Sequence, residues 1–303
     1  MRRVQLCLFL ATLAAISGGC GGGAVKGHIV IAQKAVVKDA TREELLNQYN
    51  QIARSIRSLN ATVQLKPTAG SKYSGVIDEY HEVKAFLLAA RPAEIRVIGQ
   101  APVVGTTVFD MASDGETFRV SIPSKSKFLV GPVAFEHVGS KPIENLRPQH
   151  LLDALLWPEV RKEEVVYLKE FNDENARYYV LAVLRGGYQM EVLREIWFDR
   201  ADLQIVRLQA FGPKGLLTSD IHLSDWQPLG NAAEQSVPAM AASAAGLFPR
   251  AIRIDRPHDD YKLDLQVTKL SLNDEIPALR FQLELPAGAE LVHVGDAAEK
   301  KQP

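Results

Sequence analysis

The sequence predicts a mainly β fold: a curled antiparallel sheet covered by an N-terminal amphipathic helix and a second, short inserted helix. Three observations predict it. A capping box opens one well-formed helix near residue 41, the apolar period then changes to two, and only one short apolar segment, Leu146–Pro158, interrupts the series. So many short strands at regular spacing, with no helices between most of them, belong to a sheet curling toward a sandwich or barrel.

The first residues stand apart from that fold. Met1-Arg2-Arg3 is positive, Val4 to Ile16 is apolar apart from Gln5 and Thr12, and Ser17-Gly18-Gly19 precedes Cys20. This is the order of a secretory signal peptide, and its apolar stretch is shorter than the ~20 residues of a permanent membrane-spanning helix. Small residues before a cysteine at such a place resemble the lipobox of bacterial lipoproteins, in which the cysteine carries diacylglycerol and a further acyl chain such as palmitate. Ser17 departs from that pattern, where leucine is usual. The expectation is a removed signal peptide over residues 1–19, with Cys20 as the lipidation site. The alternative is an ordinary secretory peptide in which Cys20 is incidental. By the enteric sorting rule an aspartate after the cysteine favours the inner membrane; Gly21 stands there, so the expected address is the periplasmic face of the outer membrane.

Composition agrees with a large domain held by its own core. The second cysteine, Cys7, lies in the segment expected to be removed, so no disulfide is available. Apolar residues make up 47% of the chain and the net charge is −1, which leaves no basic footprint for a nucleic acid.

Gly21-Gly22-Gly23 continues as a tether, with little fixed structure expected over residues 20–40. Thr41-Arg42-Glu43-Glu44 then forms the capping box, and Leu45, Tyr49, Ile52, Ile56 and Leu59 follow at helical spacing. Strands are expected near Ala61–Lys66, Tyr73–Ala90, Glu94–Gly99, Thr106–Ala112, Thr117–Ile122 and Lys127–Gly131, separated by Pro and Asp-Gly turn signals. Pro148 suits the first turn of the inserted helix, Leu151, Leu155 and Trp157 its apolar surface, and Pro158 its end. Further strands are expected at Glu164–Lys169, Tyr178–Leu184, Met190–Asp199, Ile205–Phe211 and Thr218–Trp226. After an Ala-rich loop, Gly230–Ala245, come Ala251–Asp255, Lys262–Leu270, Phe281–Leu285 and Leu291–Val294. No linker divides the chain, so residues 41–295 form one domain and 296–303 a polar tail.

Two stretches resemble the LolA/LolB group of periplasmic lipoprotein carriers and receptors, the LolB branch most of all. Pro92 to Thr107, running on to Ser113-Asp114-Gly115-Glu116-Thr117-Phe118, is similar to that family's strand, Pro-apolar-Gly loop, strand and aromatic turn. Leu146–Pro158 is similar to the helix LolB carries after this hairpin, and Phe281–Gly288 resembles a LolA-like ending. The resemblance implies a half-open barrel whose hydrophobic cavity takes acyl chains, a lipoprotein-transport or chaperone role, and a periplasmic carrier protein as partner. It implies cargo transfer by the loop that holds Val103 and Val104. With the helical stripes, the lipid-contacting candidates are Val103, Val104, Leu45, Tyr49, Ile52, Ile56, Leu151, Leu155 and Trp157. The chain is longer after the inserted helix than LolB, and a general lipid or glycolipid carrier is an equal alternative.

Signals for catalysis are weak. The seven histidines are scattered, with no HExxH pair and no cysteine ligand, so no metal or other cofactor is expected. His258-Asp259-Asp260 fits a solvated loop better than a metal clasp. Ser124-Lys125-Ser126-Lys127 has the letters of a serine-lysine motif but joins two strands, and the partner motifs are missing. His150 and Asp153 lack a nucleophile beside them. The function expected is acyl-chain binding for lipoprotein localisation or lipid transfer, with no enzyme activity. The rival is a scaffold lipoprotein with a filled core that binds a protein partner at the outer membrane, and a hydrolase on a β scaffold comes third.

Overall fold

A computed structural model of the chain describes residues 37–69, 78–79, 81–134, 147–173, 176–229 and 246–294. The signal segment, Cys20, the glycine tether, the Ala-rich loop and the tail lie outside the described residues.

The capping box forms as the sequence dictates. Glu44 N donates to the Thr41 hydroxyl at 3.2 Å and Thr41 N donates to the Glu44 carboxylate at 2.8 Å, opening α1 (Arg42–Ser55). The helix is shorter than its apolar stripe suggests: Ile56 is already extended, and Leu59 belongs to the first strand, β1 (Ser58–Ala69). Side chains from elsewhere take the last helical carbonyls and stop it there. Arg91 donates to Ala53 O at 2.7 Å and to Ile56 O at 2.9 Å, and Asn273 to Ser55 O at 2.8 Å.

β1 becomes the middle of the sheet. On one side of it β3 (Val83–Ala90), β4 (Glu94–Gln100), β5 (Thr107–Ser113), β6 (Thr117–Ile122) and β7 (Lys127–Pro132) follow as antiparallel neighbours. The short β2 (Asp78–Glu79) pairs with the end of β1. The expected strand from Tyr73 to Ala90 is therefore divided, and residues 73–77 lie outside the described ones. The chain then crosses by α2 (Pro148–Leu155) to the far edge, β8 (Glu164–Asn172). From there it walks back through β9 (Arg177–Arg185), β10 (Glu191–Asp199), β11 (Ile205–Phe211), β12 (Leu217–Pro228), β13 (Leu247–Arg256) and β14 (Tyr261–Leu272). β14 joins the free side of β1 over a register from Leu59↔Leu272 to Ala69↔Tyr261. The sheet is not closed: among the described residues β8 pairs only with β9.

The C-terminal stretch departs from expectation. Phe281–Leu285 is no strand, because Ala278–Phe281 winds into a 3-10 turn and the carbonyls of Arg280 and Gln282 accept from Arg96 at 3.1 Å instead of entering a ladder. Phe281 is buried there. The final strand, β15 (Glu290–His293), lies parallel on the outer edge of β7, from Glu290↔Lys127 to His293↔Val130.

Alternation along the strands sorts the two faces of the sheet. Leu59, Ala61, Val63 and Leu65 of β1, with Leu263, Leu265 and Val267 of β14, are buried under the helices. Their neighbours Gln64, Lys66, Asp264 and Gln266 face outward. Arg91, in the β3–β4 turn, ties this arrangement together by donating also to Trp157 O at 2.8 Å. Replacing it strands carbonyls of three buried residues. Arg91→Ala is expected to lose about 1.5–3 kcal/mol in urea unfolding, with Arg91→Lys recovering only part because an ammonium cannot fork.

Candidate functional site

The site residues expected from the sequence fall into two places. Leu45, Tyr49, Ile52 and Ile56 of α1, Leu151 and Leu155 of α2, and Trp157 just after it meet beneath the helices, each at most 5% exposed. Val103 and Val104 lie apart from them at the tip of the β4–β5 hairpin, 95% and 71% exposed.

The buried group is a closely packed aromatic and aliphatic layer. Tyr49 and Trp157 stack at 6.0 Å and 11°, and Trp157 meets Trp226 edge-on at 6.2 Å. Trp157 Nε1 donates to Ala154 O at 2.9 Å, which fixes the indole. Leu45 and Leu151 have no exposure at all, so no water-sized space lies against them. Among the described residues, the space around these side chains is taken up by the protein's own packing. The i, i+4 stripe of α1 faces inward; its spacing carries no information on whether that face meets a ligand or the sheet.

Polar ties lock the same layer. Tyr49 Oη donates to Pro158 O at 2.8 Å, Asn50 Nδ2 donates to Val160 O at 3.2 Å, and Val160 N donates back to Asn50 Oδ1 at 2.8 Å. Burial pushes the Tyr49 phenol pKa up, which keeps it a neutral donor. Asn50 and Arg91 escaped the sequence reading. A polar residue one position along from an apolar stripe was the only available sign of Asn50.

The exposed tip is a defined turn. Ala101 N donates to Thr106 O at 2.9 Å, Gly105 N donates to Ala101 O at 3.0 Å, and Gly105 has φ +67°. That left-handed position suits glycine, and Pro102 narrows the other side of the loop. Two adjacent valines are thereby held in water with nothing packed over them.

A third group lies where α2 meets the β13–β14 hairpin. His150 Nδ1 shares a short hydrogen bond with Tyr261 Oη and their rings stack at 6.0 Å. Arg256 pairs with Asp259 at 2.7 Å, and Arg147 lies 4.6 Å over the Phe118 ring. Burial first, then the charges of Arg256 and Arg147, hold His150 well below its usual 6.5. Asp153 keeps solvent contact, yet the protein around it desolvates its carboxyl and raises its pKa, against the pull of Gln149 and Arg256.

Outside the sheet, over β12, β13, β14 and β1, lies a groove of about 590 Å³. Its walls are charged and already paired: Arg253 with Asp264 at 2.6 Å, and Lys262 with Asp255 at 2.6 Å. Beside it Asp220 is desolvated, but hydrogen bonds from Arg207 and His222 more than offset that and hold its pKa at about 2. This face is a ladder of cross-strand ion pairs, with Ala251, Ile252 and Leu265 also among the residues lining the groove.

Among the described residues no cluster of three metal-ligating side chains occurs. Asp259 of the His258-Asp259-Asp260 run serves Arg256, and Pro123–Lys125 is a 3-10 turn whose Lys125 faces solvent, as does Lys127 at the start of β7.

No protein-family model matches the sequence, and no curated protein matches it. Solved structures are similar in fold. A LolA superfamily protein from Nitrosomonas europaea aligns at 13% identity and a TM-score of 0.46, over 81% of this chain and 99% of that one. A DUF1329 family protein from Desulfovibrio piger aligns at 13% identity and 0.47, over 78% and 97%. An outer membrane lipoprotein-sorting protein domain from Vibrio parahaemolyticus aligns at 11% identity and 0.43, over 78% and 95%. At such identities ligand and mechanism have to come from this chain's own residues.

The neutral imidazole sets a pH dependence. His150 has a folded pKa below its unfolded value, so the unfolded chain takes up the proton first as pH falls. The stability it contributes is present above about pH 6.5 and is lost below it. Thermal melts between about pH 7 and pH 5 are expected to fall more steeply for the parent chain than for His150→Gln.

Proposed function

We propose that the chain is a lipid-anchored protein of the bacterial cell envelope, held through Cys20, which takes acyl chains of lipoproteins or other lipids beneath its helical cover and passes them toward the outer membrane. The observation that carries this reading is the Val103–Val104 tip. Full burial of each valine in hydrocarbon is worth about 1.5–3 kcal/mol, and the turn already holds both in the posture that insertion needs. Standing beside a membrane, such a tip meets an acyl chain or the bilayer surface before any other part of the hairpin does.

The cover has a means of yielding. α2 is eight residues long, has no side-chain N-cap bond, and is far too short to be stable alone. It stays in place through apolar packing and the His150–Tyr261 contact. An acyl chain that takes the place of Leu151, Leu155 and Trp157 buries equivalent apolar surface, at ~25 cal/mol per Å², so exchange between side chains and cargo is close to balanced. No covalent chemistry is needed.

The filled interior favours a second reading, a lipoprotein that binds a protein partner by its surface and leaves the core closed. Native mass spectrometry of the Cys20→Ala chain after exposure to membrane lipid extract separates the two. The carrier predicts a bound-lipid mass; a chain that never carries one leaves only partner binding. The tip has its own test. Val103→Asp with Val104→Asp is expected to reduce binding to lipid vesicles at least tenfold, while the unfolding free energy stays within the roughly ±0.5 kcal/mol scatter of surface changes. Unchanged vesicle binding would remove the tip from the mechanism.

A further inference from the structure

Antiparallel pairing sends successive turns to alternate ends of a sheet. Every neighbouring pair from β7 round to β8 is antiparallel, so the β4–β5, β6–β7, β9–β10 and β11–β12 turns share one end. The registers agree. Gln100↔Thr107, Ile122↔Lys127, Arg185↔Glu191 and Phe211↔Leu217 all close toward the end where Leu65 meets Val83 and Ala69 meets Tyr261.

Three of these turns hold apolar side chains in water. Val103 and Val104 occupy the β4–β5 tip. Gly186-Gly187-Tyr188-Gln189-Met190 makes the β9–β10 turn, with Tyr188 fully exposed and Met190 64% exposed. Leu216, 50% exposed, closes the β11–β12 turn, which Gly212 N holds by donating to Leu216 O at 2.8 Å.

Charge follows the same division. The four turns carry Lys125 and Lys214 and no carboxylate. Neither lysine has an ion-pair partner among the described residues. The acidic groups of this end sit between them in the sheet, at Asp260 of the β13–β14 turn, Asp78 and Glu79 of β2, and Glu82 before β3. At the opposite end the β5–β6, β8–β9 and β10–β11 turns carry Asp114, Glu116, Asp173 and Asp202. The one base in those three turns, Arg200, is buried and paired with Asp39 and Glu170. Among the described residues these turns hold no exposed large apolar side chain.

We infer that the end of the sheet bearing the valine tip is a docking face for an anionic lipid bilayer. Tyr188, Met190 and Leu216 enter it beside Val103 and Val104, and Lys125 and Lys214 reach the lipid phosphates. The inference rests on the lipid contact proposed for the Val103–Val104 tip and extends it to the other half of the sheet. β3, β1, β14, β13 and β12 separate the β4–β5 tip from the β11–β12 turn. Apolar tips so far apart make no continuous patch for a folded partner to cover, whereas a bilayer is a fluid plane that receives each tip where it falls. The residue types suit that surface. Tyrosine sits at headgroup level, the aliphatic tips reach the acyl boundary, and lysine snorkels to phosphate. Lysines with no acid in their own turns favour an anionic lipid over a neutral one.

The test uses the full chain with Cys7→Ser and Cys20→Ser, so that a polarity-sensitive dye attaches only to an introduced cysteine. Gln189→Cys places the dye in the β9–β10 turn, and Ala201→Cys places it at the opposite end. With vesicles of phosphatidylglycerol and phosphatidylcholine, the dye on Gln189→Cys is expected to shift to the blue and that on Ala201→Cys to stay as in buffer. Vesicles of phosphatidylcholine alone should need about tenfold more lipid for the same shift, and Lys125→Glu with Lys214→Glu should shrink that preference. A Gln189→Cys dye that stays in water overturns the inference, as do equal shifts at both positions or a lipid preference untouched by the lysine changes. If Val103→Asp with Val104→Asp still costs vesicle binding in that case, only the extension has failed. If the parent chain binds no vesicle, the valine tip falls with it, and the bound-lipid mass alone speaks for the carrier.

Discussion

The structure depends on how α1 is tied to the segment that follows α2. Four backbone carbonyls, those of buried Ala53, Ile56 and Trp157 and of the exposed Pro158, receive donors from Arg91 and Tyr49. Asn50 adds a reciprocal pair with Val160. These bonds are made in an apolar surrounding, where each unsatisfied group is costly and each satisfied one is directional. They anchor residues 157–160 at the far side of the crossing, so that β8 can start and the chain can walk back to β1. Without them α2 would be held to the sheet by apolar packing and the His150–Tyr261 contact. The cover is thus firm at one end, through α1, and held mainly by apolar contact along α2. On the proposed carrier reading, that asymmetry is what would let the interior exchange its contents without unfolding the sheet.

Much of this was legible in the sequence, and the failures have physical causes. The capping box at Thr41 is a local hydrogen-bond pattern, and it appears residue for residue. The strands from Glu94 to Gly131 follow from alternation and turns alone, and Pro148 marks the first turn of α2. Leu59 fits the helical stripe and yet belongs to β1, because the helix is stopped by Arg91 and Asn273, residues far along the chain that no local pattern reveals. Phe281–Leu285 has strand-like alternation, but Arg96 claims its carbonyls. The pairing of β1 with β14 and the parallel seat of β15 are non-local as well. As for the site, periodicity located Leu45, Tyr49, Ile52, Leu151, Leu155 and Trp157 on the inner face. It had no means of saying that these side chains pack against one another.

The two faces of the sheet divide the work. The outer face carries cross-strand ion pairs, Arg207 with Asp220 and Arg253 with Asp264 among them, which keep it solvated. Exposed apolar side chains include Val103 and Val104 at the hairpin tip, Val165, Tyr167 and Phe171 on β8, and Tyr188, Met190 and Leu279 elsewhere. The buried His150–Tyr261 contact stands between α2 and the β13–β14 hairpin, where any displacement of the helix must break it.

The central claim is that cargo chains replace the helices' own side chains beneath the cover. Two single-tryptophan chains, one keeping Trp157 in the covered layer and one keeping Trp197 on the outer face, can be titrated with acyl chains brominated near their ends. Replacement predicts strong quenching of Trp157, stacked on Tyr49 at 6.0 Å, with Trp197 nearly unaffected. Equal quenching of both, or none at Trp157 while lipid is bound, would contradict it.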